Sequence, residues 1–288
     1  MWNSMNMIKQ PLTPDTGLEI LDLNVQLCDA DDINELIELL HRYKVIFIRN
    51  QTLTPESQIH FSRHLGALMQ LPYIKPLDGY PDIIRVLKEA DEINMGVFGG
   101  DWHSDFSFLA EPPQYSILYA EQLPPLGGDT LWVNMSLAWE KLSNEIKEQI
   151  EGKMSIHCGS PYGVKHAPKL DKQVKGSIEI ARQNPEADRE ILHPLVCRIP
   201  ETGDNSLFIN PTYTIGIQGL SKPDSQLLLQ TIYQHCTRPE FSCRLRWQLG
   251  TLVVWDNRTT MHYAVNDYDG YRRCLYRTTT QGIQPAPG

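Results

Sequence analysis

The sequence lacks a C-x-x-C pair, a long apolar run, a basic excess and an internal repeat, and each absence removes a class of protein. Its six cysteines (Cys28, Cys158, Cys197, Cys236, Cys243 and Cys274) are scattered through 288 residues. That spacing suits neither a zinc ribbon nor a redox motif, and a chain this long needs no disulfide staples, so reduced thiols are expected. No apolar stretch approaches ~18 residues, and the opening MWNSMNMIKQPLTPDTG has no apolar leader core. The expected location is therefore the cytoplasm, with no membrane span. Lys and Arg number 26 against 35 Asp and Glu, a net charge of −9. Nucleic acids and anionic membranes require a basic surface, so neither is an expected partner, although a local cationic pocket stays open. With 41% hydrophobic and 21% charged residues and no low-complexity block, the composition is that of a globular protein. One domain over residues 1–288 is expected.

The first part of the chain alternates helix and strand signals. Asp31 and Asp32 can cap a helix whose Ile33, Leu36, Ile37 and Leu40 recur at helical spacing. The run Lys44–Asn50 is short, β-branched and aromatic, and predicts a buried strand. Thr54 and Pro55 suit the N-cap and first position of a second helix, with Gly66 at its end. Further on, strand-like runs predominate: Ile117–Ala120, Thr130–Asn134, Ile191–Ile199, Ser206–Asn210, Arg244–Gln248, Thr251–Asp256 and Arg273–Thr280. Helices are predicted only at Ser136–Glu151 and at Pro223–Cys236, the latter capped by Ser221. Many short strands bounded by turn residues point to an antiparallel sandwich or barrel, and a jelly roll manages its strand edges well. Residues 159–189 are polar and poorly periodic, and read as a surface excursion or lid; residues 283–288 read as a flexible tail.

The chemistry concentrates in Gly99-Gly100-Asp101-Trp102-His103-Ser104-Asp105. On a strand, residues i and i+2 share a face, so His103 and Asp105 would converge. Two ligands do not define a metal site. A third must come from elsewhere in the fold, and His262, in Trp255-Asp256-Asn257-Arg258-Thr259-Thr260-Met261-His262, is the candidate. Two imidazoles and a carboxylate on one face of an octahedral metal leave three positions open, as non-haem Fe(II) oxygenases require. A chelating cosubstrate would fill two and dioxygen the third. Arg272, Arg273 and Arg277 follow His262. An arginine entering the same barrel offers a planar fork for a carboxylate, as the far end of a dicarboxylate cosubstrate would need; the plainer alternative is a solvated strand face.

Taken together, W-H-S-D at Trp102–Asp105, P-P-x-G-G-D-T at Pro124–Thr130, H-P at His193–Pro194, and W-D-N-R…H-Y-A…R-R…R from Trp255 to Arg277 resemble the taurine/chlorophenoxyacetate dioxygenase family. The resemblance runs from about Thr16 to Gly282. It implies a mainly β, α+β fold: a double-stranded β-helix (jelly roll, cupin-like) core with flanking helices, forming a single catalytic domain. It also implies Fe(II) held by His103, Asp105 and His262, with 2-oxoglutarate and O2 as cosubstrates. Arg273 resembles the arginine gripping the distal carboxylate of 2-oxoglutarate, and Thr130 the hydroxyl beside it, although a turn threonine after Gly127-Gly128-Asp129 remains an alternative. Arg277 resembles the arginine that takes the acidic group of the primary substrate. A small anion is thus expected: a carboxylate, sulfonate or sulfate ester, oxidised as 2-oxoglutarate becomes succinate and CO2. Relatives assemble as homodimers or homotetramers.

Tyr73 and Gly99 are the further candidate substrate contacts. Where the taurine enzyme places polar groups, this chain has Leu71 and Gly99. An unpartnered buried headgroup costs about 1–3 kcal/mol, so taurine itself is disfavoured. His41, His60 and His64 fall on predicted helices and read as surface residues; His157, His166 and His235 have no partner pattern; His193 reads as structural. Asp256 and Asn257 read as turn braces, with hydrogen bonding to a metal-bound histidine as their functional alternative. Two other classes remain: a metal-dependent hydrolase or isomerase on the same jelly roll, or a non-catalytic ligand-binding member.

Overall fold

Sheet-forming residues recur through the whole chain, and the computed structural model, which describes residues 7–165 and 176–288, assembles them into four sheets with five α-helices among those residues. Residues 166–175 of the expected excursion, including His166, and residues 1–6 lie outside the described residues. The major sheet has seven strands, ordered Lys9–Pro11, Leu18–Ile20, Val45–Ile48, Leu252–Asp256, Tyr115–Gln122, Arg273–Thr279 and Ile84–Lys88. All neighbours are antiparallel except Leu18–Ile20 beside Val45–Ile48. A three-stranded sheet is ordered Ser242–Leu245, Thr130–Asn134, Thr260–Ala264, and two more three-stranded sheets complete the roll.

Alternation along these strands sorts the side chains into layers. Val45, Phe47, Leu118, Val253, Trp255 and Leu275 leave one face of the major sheet and pack with Trp132, Cys243 and Leu245 of the three-stranded sheet. Their neighbours Ile46, Ile48, Ile117, Leu252 and Val254 leave the other face and pack under the helices Ala30–Tyr43 and Pro55–Leu65. Behind the three-stranded sheet, Val133 and Met261 join a third cluster with the helices Met135–Glu140 and Lys222–Cys236. Full burial of a large apolar side chain contributes roughly 1.5–3 kcal/mol, so this period of two sets the strand register. His262 must then point inward, because Met261 points out.

Several boundaries differ from the sequence reading. The first helix is capped by Asp29, whose side chain accepts from the amides of Asp31 and Asp32, while Asp32 accepts from the Asp29 amide. Asp31 and Asp32 therefore lie inside the helix. The run Ile191–Ile199 is two strands, Ile191–Pro194 and Val196–Arg198, because Pro194 has no amide to continue a ladder. Ser136–Glu151 is likewise two helices, Met135–Glu140 and Asn144–Ile150; Ser143 caps the second by accepting from the Ile146 amide. Residues 283–288 are not a free tail: Ala286 pairs with Arg198 and Pro287 with Cys197, which covers an open strand edge. Within the expected excursion, Ile180 bridges Ile74 and the Ala181 amide donates to the Tyr73 carbonyl at 2.7 Å. Among the described residues no helix is long and apolar enough to cross a membrane.

Candidate active site

Two backbone hydrogen bonds create the site. The His103 amide donates to the His262 carbonyl at 3.1 Å and the His262 amide returns the bond at 2.8 Å, placing the two residues directly opposite each other. Their imidazole centroids are 4.1 Å apart. Here the sequence reading needs correction: His103 and Asp105 do not share a continuous strand. His103 makes an isolated bridge, and the chain turns at Asp105, with Phe106 at φ 46°. A non-glycine residue in that region stores about 1–3 kcal/mol of strain, and the turn it permits swings the carboxylate back toward the imidazoles. The ligand atoms available on His103, Asp105 and His262 all lie within 4.8 Å of one another, and all three residues are buried.

Each donor is held in a state suited to a cation. The His103 Nδ1 lies 2.7 Å from the Asp101 carbonyl, so that nitrogen carries the proton and Nε2 keeps its lone pair inward, 3.7 Å from Asp105 Oδ1. Burial, reinforced by the neighbouring His103, keeps His262 neutral by pulling its pKa well below the ordinary imidazole value; its Nδ1 is buried without a partner. Burial alone would raise the Asp105 carboxyl, but Arg277, with Nη1 2.8 Å from Oδ1, and the histidines hold it well below the usual carboxylate range. Two imidazoles and one ionised carboxylate are a donor set that fits Fe(II) and leaves room for a chelating ligand.

Two arginines enter beside these groups. The strand Arg273–Thr279 sends Arg273, Leu275 and Arg277 inward, since Leu275 belongs to the inner cluster and Tyr276 to the outer one. Both arginines are 3% exposed, so the solvated-face alternative fails. Arg273 lies over the rings of Trp247 and Tyr268, with centroids 5.5 and 5.8 Å from its guanidinium carbon. It forms no ion pair among the described residues; its Nε is unpartnered, and burial lowers its pKa from the usual arginine value. Trp247 also donates to the Thr130 hydroxyl at 3.0 Å, so Thr130 and Arg273 share one indole as neighbour. Gly128 completes this corner: a Cβ there would lie 3.1 Å from Arg273 Cδ and Nε, at φ +70°. Arg277 keeps two donors, Nε and Nη2, buried and unpartnered, and its plane faces Phe98 and Phe106 at 5.6 and 6.0 Å. Arg272 points elsewhere, pairing with Glu89 and Gln122 at the surface.

Gly99 sits against the His103 ring, with an added Cβ 3.1 Å from Cε1 at φ +79°. The backbone approaches the imidazole closely there, and a side chain would be strained by the left-handed φ. Tyr73 is one layer away: its ring stacks on Tyr162 at 5.3 Å and on Phe108 at 6.2 Å, and Tyr162 in turn stacks on Phe106 at 5.6 Å. Burial keeps the Tyr162 phenol protonated, pushed up to about 12. His60 and His64 are exposed as expected, whereas His41 is half-buried with its Nε2 3.1 Å from the Tyr115 hydroxyl. His157 and His193 are buried against Ser107, Ser155 and the Leu109 carbonyl and lie outside the ligand cluster. Trp247, Tyr268 and Phe98, which reach the site from loops, and Ser116, which reaches it through strand register, carry no local signal in the sequence.

A jelly roll that gathers two imidazoles and a carboxylate beside two buried arginines is the arrangement of a metal-dependent oxygenase. A family model described as "Taurine catabolism dioxygenase TauD, TfdA family" matches residues 9–279. An alkylsulfatase of Acinetobacter baylyi is 32% identical over 94% of this chain and 84% of its own. An alpha-ketoglutarate-dependent sulfate ester dioxygenase of Pseudomonas putida is 31% identical over 98% of this chain and 92% of its own. A crystal structure of a taurine dioxygenase from Burkholderia xenovorans superposes with a TM-score of 0.81 at 30% identity, covering 98% and 93% of the two chains. The chain belongs to the TauD/TfdA family. It is an enzyme, a non-haem iron dioxygenase dependent on 2-oxoglutarate (α-ketoglutarate), and the hydrolase, isomerase and non-catalytic alternatives fall away.

Proposed function

We propose that His103, Asp105 and His262 hold Fe(II), that Arg273 and Thr130 receive the distal carboxylate of 2-oxoglutarate, and that Arg277 receives an anionic primary substrate. The observation that carries this reading is the Arg273 guanidinium, buried and without an ion pair among the described residues, on the same inner face as the three candidate ligands. A buried charge is costly unless it meets a partner, and a dicarboxylate that also reaches the metal supplies one. When bound, iron and 2-oxoglutarate supply the power to oxidise a C–H bond with dioxygen, releasing succinate and CO2. The chain's own residues position the reactants: Trp247 and Tyr268 fix the Arg273 plane, and Phe98 and Phe106 fix that of Arg277. The aromatic layer Tyr73–Tyr162–Phe106 excludes water on one side.

The substrate class follows from the lining. Arg277 offers Nε and Nη2 to an anion, and the groups beside it are aromatic. Leu71 belongs to the inner apolar cluster and Gly99 presents no side chain, so a polar amino headgroup such as that of taurine finds no partner from either. A sulfate ester, sulfonate or aryloxy carboxylate with an apolar body fits better. A sulfate ester dioxygenase and a 2,4-dichlorophenoxyacetate dioxygenase among the relatives lie in that range. We place the enzyme in the cytoplasm, in keeping with six unpaired cysteines. One catalytic domain is supported by a major sheet that joins strands from Lys9–Pro11 to Arg273–Thr279. The test is succinate formation from 2-oxoglutarate with Fe(II) against a panel of alkyl sulfates, alkylsulfonates, aryloxyacetates and taurine. The apolar anions should stimulate succinate release well above taurine; taurine as the best substrate, or stimulation by uncharged analogues, would overturn the assignment.

A further inference from the structure

Asp105 is the ligand with the most elaborate surroundings. Its Oδ2 accepts from the Ser116 hydroxyl at 2.7 Å, and Asn257 Nδ2 donates to that same hydroxyl oxygen at 2.9 Å. The Asn257 Oδ1 accepts from the Trp255 indole at 2.9 Å and from the Asp105 amide at 3.3 Å. All four residues are essentially inaccessible to water. The polarity of this chain is fixed from one end. An indole N–H can only donate, so the Asn257 amide must turn its oxygen to Trp255 and its nitrogen to Ser116. The Ser116 oxygen then accepts from Asn257, and its single proton goes to Asp105 Oδ2. Oδ1, which accepts from Arg277 Nη1 at 2.8 Å, is the oxygen turned toward His103 Nε2, at 3.7 Å.

We propose that Ser116 and Asn257 are positioning residues that make Asp105 a one-oxygen metal ligand: they occupy Oδ2, set the carboxylate's rotation, and prevent it from chelating the metal through both oxygens. A second oxygen on the metal would consume a position needed by the cosubstrate or dioxygen. The motif containing Asn257 thus does more than brace the turn before His262; it acts on the carboxylate on the other side of the site. The register pairing of Trp255 with Ser116 on neighbouring strands aligns the relay. Partners of this kind typically govern metal affinity by about 10- to 100-fold.

This inference rests on the proposed metal site, and Mn(II) binding separates the two. Mn(II) affinity is measured by electron paramagnetic resonance titration on wild type and on Ser116→Ala, Asn257→Asp, their double variant and Asp105→Ala, with melting temperatures recorded alongside. Wild type should bind one Mn(II) and Asp105→Ala should lose it; equal binding by Asp105→Ala would defeat the site itself. Ser116→Ala removes the donor to Oδ2. Asn257→Asp keeps the bond from Trp255 but draws the Ser116 proton away from Asp105. Each should weaken Mn(II) binding by about 10- to 100-fold, and the double variant should be no worse than the weaker single, because the relay acts as one unit. Ser116→Thr, which keeps the hydroxyl, should bind within a few-fold of wild type. Wild-type Mn(II) affinity in both Ser116→Ala and Asn257→Asp, whatever their melting temperatures, would overturn the positioning role while leaving the metal site standing.

Discussion

Replacing Arg273 by Gln should separate cosubstrate binding from folding. Arg273 is fully buried, has no ion pair among the described residues and keeps Nε unpartnered, so the ligand-free protein carries the desolvation cost of a guanidinium without its main compensation. Gln fits between the same rings without a charge. The melting temperature of the ligand-free variant should therefore equal or exceed that of wild type. Binding of 2-oxoglutarate should suffer severely, because removing one member of a buried ion pair costs about 3–5 kcal/mol. That corresponds to a Kd raised by ~10²- to 10³-fold or more. Isothermal titration of the Mn(II)-loaded protein with 2-oxoglutarate measures the loss directly. Thermal shift gives a second reading: at 100 times Kd a ligand adds ≈ 2.7 kcal/mol to stability, and that increment should vanish for the variant at the same concentration. A Kd change below about threefold would place the distal carboxylate elsewhere. A ligand-free variant destabilised by several kcal/mol would mean that Arg273 supports the fold instead.

Arg277→Met should raise the primary-substrate KM strongly and, unlike a purely substrate-facing residue, should also weaken Mn(II) binding, since Nη1 holds Asp105 Oδ1 at 2.8 Å. Unchanged metal affinity would show that this bond contributes nothing to the ligand. Gly99→Ala forces a side chain into a left-handed backbone and against the His103 ring; about 1–2 kcal/mol of strain there should appear as weaker metal binding with 2-oxoglutarate selectivity intact, and wild-type affinity would refute the close approach. His157 should contribute to the loss of stability in acid. Burial and the neighbouring His193 pull its pKa down to about 3, below the value near 6.5 of the unfolded chain. As pH falls below about 6.5 the unfolded state gains the proton first, so stability drops by up to about 1.4 kcal/mol per pH unit toward pH 3. Urea unfolding of His157→Gln between pH 7 and about 4 should show a shallower decline than wild type, and parallel curves would contradict that assignment.

What the sequence makes legible, and what it does not, follows from the range of the interactions. The strand Thr130–Asn134 and the helix opening at Thr54-Pro55 are local statements, set by β-branched residues and by a cap with proline at the first position. The inward direction of Arg273 and Arg277 is nearly as local, because residues an even number apart on one strand share a face. The backbone around Asp105 is not legible in the sequence, since a left-handed Phe106 has no signature in composition. The Ser116–Asn257 relay was out of reach for another reason: an ordinary serine in an apolar strand acquires its role from the register between that strand and Leu252–Asp256. Terminal residues 283–288 resemble any polar, proline-containing tail until the edge of Val196–Arg198 is available to receive them.

The central claim is that His103, Asp105 and His262 form an Fe(II) site open to chelation by 2-oxoglutarate. Anaerobic absorption spectroscopy tests it most directly, with Fe(II) and 2-oxoglutarate added to wild type and to Asp105→Ala. Wild type should develop a weak charge-transfer band in the visible that shifts when an apolar sulfate ester or aryloxyacetate is added, and Asp105→Ala should show neither. Folded wild-type protein that binds Fe(II) but gives no band, or an undiminished band in Asp105→Ala, would contradict the account.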